Sequence, residues 1–191
     1  MKFVIQSKSF GNRCVLGACV VEVASGQTVA LLGPSGAGKS TLLRIIAGLE
    51  KDDAKSVQPS CRNAMVFQEP RLLPWKTVVQ NVQIGGADNG WLEKLELQSS
   101  AHLFPRQLSL GMARRVALAR ALASDHDLLL LDEPFASLDP ATSDRVHEVL
   151  QQALKHRDKM TILVTHDGAE ARRLANRSYE LTGSPSQLHQ I

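Results

Sequence analysis

Residues Thr28 to Leu49 read TVALLGPSGAGKSTLLRIIAGL. The stretch opens on an apolar run, Val29-Ala30-Leu31-Leu32, of the kind that forms a buried strand. A glycine-rich loop follows. Then Leu42, Leu43, Ile45 and Ile46 mark one face of a helix, and Gly48 stands where that helix should end. Gly33, Pro34, Ser35, Gly36, Ala37, Gly38, Lys39 and Ser40 satisfy G-x-x-x-x-G-K-[ST] in full. Small residues let main-chain N–H groups converge on an anion without crowding from Cβ atoms. The helix N-terminus adds the positive end of its dipole. Lys39 can reach terminal phosphates as a point charge. The Ser40 hydroxyl is a hard oxygen of the type Mg²⁺ prefers. The strand, loop and helix therefore predict a nucleotide-phosphate site.

Upstream, residues 2–10 and 15–23 read as two strands, rich in valine and antiparallel, with a turn at Ser25-Gly26. Phe10 is the one aromatic residue between this front piece and the loop. It suits either core packing or a face on which a nucleobase stacks. Downstream, Glu50 to Arg62 is polar and predicts an exposed, irregular connection. Ala64-Met65-Val66-Phe67 is a short strand ending at Gln68. A polar side chain at the carboxyl end of a core strand lies where α/β sheets bind ligands, within reach of Mg²⁺ or water.

Glu69 to Val82 packs Leu72, Leu73, Trp75, Val78 and Val79 around two prolines. So apolar a loop-rich segment reads as an interface anchor or as the core of a small subdomain. Trp91, Leu92, Leu95 and Leu97 suggest a small helical insertion. Ser109 is placed to cap a helix from Ala113 to Ala123, whose Arg114, Arg115 and Arg120 predict a solvated basic side. Leu128 to Leu131 is a continuous apolar run suited to a central parallel strand, ending in Asp132-Glu133-Pro134. Beside a phosphate loop, Asp132 can complete a Mg²⁺ shell with Ser40, and Glu133 can orient and deprotonate water. A helix from about Ala141 to His156 should follow. The strand Met160 to Thr165 then ends at His166, again on the ligand edge of the sheet. A last helix over Gly168 to Ala175, a short strand near Tyr179 to Leu181 and a polar tail complete the reading.

The chain has 191 residues, of which 43% are hydrophobic and 21% charged. One domain with a small subdomain is expected. The formal net charge of +3 is too small to indicate nucleic acid. Three cysteines form neither an even framework nor a C-x-x-C pair, as expected of idle thiols in a reducing compartment. No apolar run approaches the ~18 residues of a membrane span, so any membrane role is expected to come through a partner.

GPSGAGKST, Gln68, LSLGM, LLLLDEP, SLD and VTHD occur in the order found in ATP-binding cassette (ABC) proteins, and this resemblance covers nearly the whole chain. It implies an α/β fold: a P-loop, RecA-like core with a parallel sheet, an antiparallel β front and a helical subdomain at about residues 70–122, all within one domain over 1–191. It implies ATP and Mg²⁺ as ligands, and a homodimer that sandwiches two ATP molecules. Phe10 resembles the adenine-stacking aromatic. Gly33 to Thr41 resemble the phosphate loop. Gln68 resembles the glutamine that senses metal and water and meets the membrane subunit. Ser109 and Gly111 resemble signature residues that reach the γ-phosphate across the dimer. Asp132 and Glu133 resemble the magnesium aspartate and the catalytic base. Asp139 resembles the inter-subunit aspartate, and His166 the γ-phosphate switch histidine.

FQEPRLLPWKTVVQNV and FPRQLSLGMARRVALARAL are similar to the importer subgroup for aliphatic sulfonates, taurine or nitrate. The expectation is the ATPase subunit of an importer of a small anionic solute. It would sit peripherally on the cytoplasmic face of the inner membrane, contact permease subunits through Gln68 to Val82, and serve a system with a separate solute-binding protein. Leu110 departs from the family pattern, standing where LSGGQ has its first glycine. A soluble ABC-type ATPase and a non-hydrolysing regulatory module are the alternatives.

Overall fold

The computed structural model describes residues 1–56, 59–88, 90–155 and 158–191. In chain order the strands and helices are β1 (Lys2–Ile5), β2 (Lys8–Phe10), β3 (Arg13–Leu16), β4 (Cys19–Glu22), β5 (Thr28–Leu32), α1 (Lys39–Ile46), β6 (Asn63–Val66), α2 (Val78–Gln83), α3 (Trp91–Lys94), α4 (Leu110–Ala123), β7 (Leu128–Asp132), α5 (Pro140–Lys155), β8 (Met160–Val164), α6 (Gly168–Leu174), β9 (Arg177–Gly183) and β10 (Ser186–Gln190). The chain divides into two compact units. The first comprises Met1–Asn63, Asp127–Asp132 and Asp158–Ile191, and the second Ala64–His126 and Glu133–Arg157.

In the first unit the larger sheet runs β2-β3-β10-β9-β5-β8-β7, and β1 pairs with β4 in a separate antiparallel ribbon. The β5, β7, β8 and β9 strands are mutually parallel where they pair. Leu31 and Asp132 both stand opposite Val164, which brings the carboxyl ends of β5, β7 and β8 to one edge. Continuous apolar stretches dictate this arrangement: a strand covered on both faces has no position left for alternating polar residues. Val29 to Leu31, Leu128 to Leu131 and Ile162 to Val164 are all buried. Leu42, Leu43 and Ile45 of α1 complete the core, and α1 packs on β7 and β8. Each such side chain contributes about 1.5–3 kcal/mol by leaving water. Gly48 stops α1 at φ +75°, and the N–H of Leu49 returns to the Arg44 carbonyl at 2.9 Å.

Three expectations need correcting in this unit. Each of the two front strands is broken in two: β1 and β2 are separated at Gln6-Ser7, and β3 and β4 at Gly17-Ala18. The polar tail is a strand, because β10 pairs antiparallel along β9 and meets β3 at Ser186. The connection after α1 is not merely an exposed link, since Asp52 is 3% exposed and accepts the Gln6 N–H at 3.0 Å. Val57 and Gln58 of that connection lie outside the described residues.

In the second unit α4 packs against α2 and α3. Val82, Leu95, Leu97, Val116, Leu118 and Leu122 are buried there. Glu69 to Val82 is less irregular than its prolines suggested. Thr77 and Gln80 form a reciprocal capping box that starts α2, and the Asn81 amide bridges the Leu73, Lys76 and Thr77 carbonyls. The α4 helix begins at Leu110, three residues earlier than expected, because Leu110 and Gly111 already occupy its first turn behind the Ser109 cap. Its arginines are not a solvated face. The Arg115 Nη1 donates to the Leu95 carbonyl at 2.8 Å, and Arg120 donates to the Arg71 and Pro70 carbonyls at 3.1 and 3.2 Å. The expected end of α5 at His156 lies outside the described residues.

Candidate functional site

Within the first unit the phosphate loop joins β5 to α1. Gly33 has φ +137°, and a Cβ there would lie 2.4 Å from the Leu181 carbonyl oxygen. Gly38 caps α1 in a left-handed conformation, and a Cβ there would meet the Leu16 and Val15 side chains at 2.7 and 2.9 Å. Only glycine can pass the chain through both points. The Ala37 N–H closes a turn onto the Pro34 carbonyl, and Leu42 returns to Gly38. Lys39 is 6% exposed, and its ammonium donates to the Gly33 and Pro34 carbonyls at 2.7 and 2.9 Å. A buried cation held inside the loop by main-chain oxygens is already aimed at whatever anion the loop cradles.

The Ser40 hydroxyl donates to Asp132 Oδ1 at 3.0 Å, and Asp132 is 1% exposed. A hydroxyl and a carboxylate side by side beneath a phosphate cradle form an oxygen pair that fits Mg²⁺. Among the described residues no cluster of three His, Cys, Asp or Glu side chains is built to hold a metal by itself. Mg²⁺ commonly keeps several waters and shares its shell with phosphate oxygens, so few protein oxygens are needed here. His166 stands exposed just past β8, on the same edge as the loop. Its neighbour Thr165 is fixed in place: the Thr165 N–H reaches Leu31, and its hydroxyl donates to Glu170 and accepts from the Asp167 N–H. Phe10 is 51% exposed, and the Lys8 ammonium lies 4.9 Å from its ring centroid. The core-packing alternative for Phe10 is thereby removed.

The second unit carries Gln68, Ser109, Gly111, Glu133 and Asp139. Gln68 is exposed, and its carbonyl accepts from Arg114 at 3.4 Å. Ser109 Oγ takes the Met112 N–H at 3.2 Å and so caps the helix, as the sequence predicts. Gly111 lies against the 137–138 segment: a Cβ there would sit 3.3 Å from Leu138 Cδ2. The turn that opens α4 thus lies beside the loop that runs from Glu133 to Asp139. That loop bends through left-handed residues at Glu133 and Ser137, and is closed by N–H bonds from Ala136 to Glu133 and from Leu138 to Phe135. The Phe135 ring stacks on His147 of α5 with centroids 3.6 Å apart. Asp139 caps α5 by accepting the Thr142 N–H at 3.0 Å, and the Thr142 hydroxyl together with that N–H holds its carboxyl below the usual carboxylate range.

Sequence reasoning missed the residues that hold these groups in place. Lys8, Glu50, Asp52 and Asp53 tie the Phe10 strand to the segment after α1. An acidic run, Glu50 to Asp53, directly after the phosphate-loop helix was the available signal. Arg114 and Arg120 look solvated from the sequence, yet each donates to a carbonyl of the 68–71 segment. Burial also lowers the pKa of Arg120 from its ordinary value.

The family model described as "ABC transporter" matches residues 16–136. The chain is 42% identical over 202 residues to the aliphatic sulfonates import ATP-binding protein SsuB 1 of Pseudomonas aeruginosa, covering 95% of this chain and 81% of that protein. It is 44% identical over 181 residues to SsuB of Corynebacterium glutamicum, covering 88% and 74% of the two chains. Among solved structures, the dimeric bacterial ABC transporter cassette MJ0796 superposes with a TM-score of 0.84 at 28% identity over 94% of each chain. The post-hydrolysis dimer of the same cassette, bound to ADP and Pi, gives 0.85 at 27% identity, covering 100% of this chain and 98% of that one.

Proposed function

The chain belongs to the ABC transporter family, and from that premise we propose that it is the ATP-hydrolysing subunit of an importer for aliphatic sulfonates or a closely related small anion. The observation that carries this reading is the Lys39 ammonium held within the glycine cradle, with Ser40 and Asp132 hydrogen-bonded below it. The loop N–H groups and Lys39 bind the phosphates of ATP. Ser40 and Asp132, together with Gln68, would hold Mg²⁺, which when bound offsets phosphate charge. Phe10 supplies the stacking face for adenine. Glu133, next to Asp132 in the chain, holds and deprotonates the attacking water. His166 stabilises the γ-phosphate.

Ser109, Gly111 and Asp139 serve the nucleotide of a second copy, so the active form is an ATP-bound homodimer. A hydrolase of this kind works by positioning and charge stabilisation. Closing and reopening of the dimer would move two permease subunits, contacted from Gln68 to Val82. Trp75, 70% exposed, is the anchor we assign to that contact. Among the described residues no helix is long and apolar enough to cross a membrane. A peripheral place on the cytoplasmic face of the inner membrane, with a separate solute-binding protein in the system, completes the proposal.

The deciding experiment is light scattering of Glu133→Gln with and without ATP and Mg²⁺. The expected result is a monomer that becomes a dimer only with ATP, together with loss of hydrolysis. A protein that binds ATP and stays monomeric, as wild type and as Glu133→Gln, would overturn the sandwich. It would also favour a non-hydrolysing module, for which Leu110, half-exposed at the first turn of α4, is the one structural argument.

A further inference from the structure

The Phe10 strand is held to the chain just beyond the phosphate-loop helix by a dense set of polar contacts. The Lys8 ammonium donates to Glu50 Oε1 at 2.8 Å and to the Lys51 carbonyl at 2.7 Å. Asp53 accepts the Ser9 N–H at 3.0 Å and the Ser9 and Ser7 hydroxyls at 2.9 and 3.0 Å, and its own N–H reaches the Ser7 carbonyl at 2.8 Å. Asp52 accepts the Gln6 N–H. Glu50 itself hangs from α1, its N–H bonding to the Arg44 carbonyl at 3.2 Å. One end of α1 therefore builds the phosphate loop. The segment leaving the other end clamps the strand that presents Phe10. The helix between them spans about 12 Å.

Lys8 is the point where clamp and ring meet. Its side chain is only 12% exposed, yet its ammonium lies 4.9 Å from the ring centroid of a half-exposed phenylalanine. A cation on one ring face draws on the negative quadrupole there and occupies that side. The opposite face is then the one left for an electron-rich base, and the ring is kept from turning away. We propose that Lys8, locked by Glu50, is a positioning residue for the nucleobase: it orients Phe10 and couples the base platform to the phosphate-loop helix. This rests on the reading of Phe10 as the base-stacking residue.

The test is calorimetric titration of the full chain with Mg·ATP and, separately, with Mg·tripolyphosphate, which carries the phosphates and no base. Lys8→Met should weaken ATP binding about two- to five-fold and leave tripolyphosphate affinity unchanged. Lys8→Arg, which keeps a cation over the ring, should restore the ATP affinity. In a Phe10→Ala background, Lys8→Met should cost nothing further, because the group it orients is gone. Equal weakening of both ligands, or an undiminished loss in the Phe10→Ala background, would overturn the proposal while leaving Phe10 as the platform. Full ATP affinity in Phe10→Ala alone would remove the platform and the proposal together, and is told apart by that single variant. Should Lys8→Met not fold, Glu50→Ala removes one of the two groups that hold the ammonium, leaving the Lys51 carbonyl, without touching the ring. It should show the same ATP-selective loss, and equal binding of both ligands to it as to wild type would count against the clamp.

Discussion

The Ser40 hydroxyl and Asp132 Oδ1 lie 3.0 Å apart, although 92 residues separate them in the chain. The sheet makes this meeting. Strand β8 lies between β5 and β7, and all three run parallel, so the end of β7 and the loop after β5 emerge on one edge. Asp132→Asn preserves the size of the side chain and removes its charge. It should reduce ATP hydrolysis roughly 10²-fold or more, with a smaller change in nucleotide affinity measured without Mg²⁺. Steady-state phosphate release and metal-free nucleotide titration check both halves of the expectation.

Gly33 and Gly36 both have positive φ, but only Gly33 is crowded. Gly33→Ala would drive a methyl group into the Leu181 carbonyl, so it should cost at least about 2 kcal/mol and abolish ATP binding. At Gly36 no atom lies within 4 Å of an added Cβ, and Gly36→Ala should cost about 1 kcal/mol, from backbone strain alone. Urea unfolding curves of the two variants should separate accordingly.

Acid should loosen the Phe10 strand before it unfolds the core. The Ser9 N–H and hydroxyl hold the Asp53 carboxyl below its usual range, and the Lys8 ammonium does the same for Glu50. A carboxylate depressed in the folded state stabilises the protein above its unfolded pKa, near 4, and that contribution is lost as pH falls through the folded value. Thermal stability should therefore decline below about pH 4.5, and Asp53→Asn should flatten that slope. Melting curves between pH 6 and pH 3.5 measure it.

Cys19 is buried, and burial pushes its pKa up to about 11. At pH 8 only about one thiol in a thousand would be ionised, so Cys19 should resist a disulfide reagent until the protein unfolds. Cys14 and Cys61 are half-buried and should react in the native protein. Counting thiols released with and without guanidinium checks the order.

Trp75→Ala should leave the melting temperature nearly unchanged, since an exposed side chain contributes about 0.5 kcal/mol or less to the fold. On the proposed reading it should weaken capture of the permease subunits tenfold or more. Co-purification from membranes, set against an unaltered calorimetric melt, separates the two effects.

Much of the first unit was legible in the sequence because its strands are uniform apolar runs that end at chemically distinctive residues. Gly33, Asp132 and His166 are visible as strand ends without any knowledge of pairing. The second strand of the terminal hairpin was not legible, because Ser186 to Gln190 is polar and becomes a strand only by pairing with β9. The roles of Lys8, Asp53, Arg114 and Arg120 were hidden for a different reason. Each bonds to main-chain atoms or to groups more than 40 residues away, and local composition carries no trace of such partners. The Leu110 substitution was plain in the sequence. That it occupies the opening turn of α4, with Ser109 still capping, required the structure.

Two of the three arginines of α4, Arg114 and Arg120, grip the segment before Trp75 by its carbonyls at Gln68, Pro70 and Arg71. A carbonyl is the same whichever side chain the residue carries. The side chains at Leu72, Leu73 and Trp75 can therefore be exchanged without loosening that hold. On the proposed reading of this segment as the permease contact, its side chains are free to drift while the main-chain mounting beneath them stays constant.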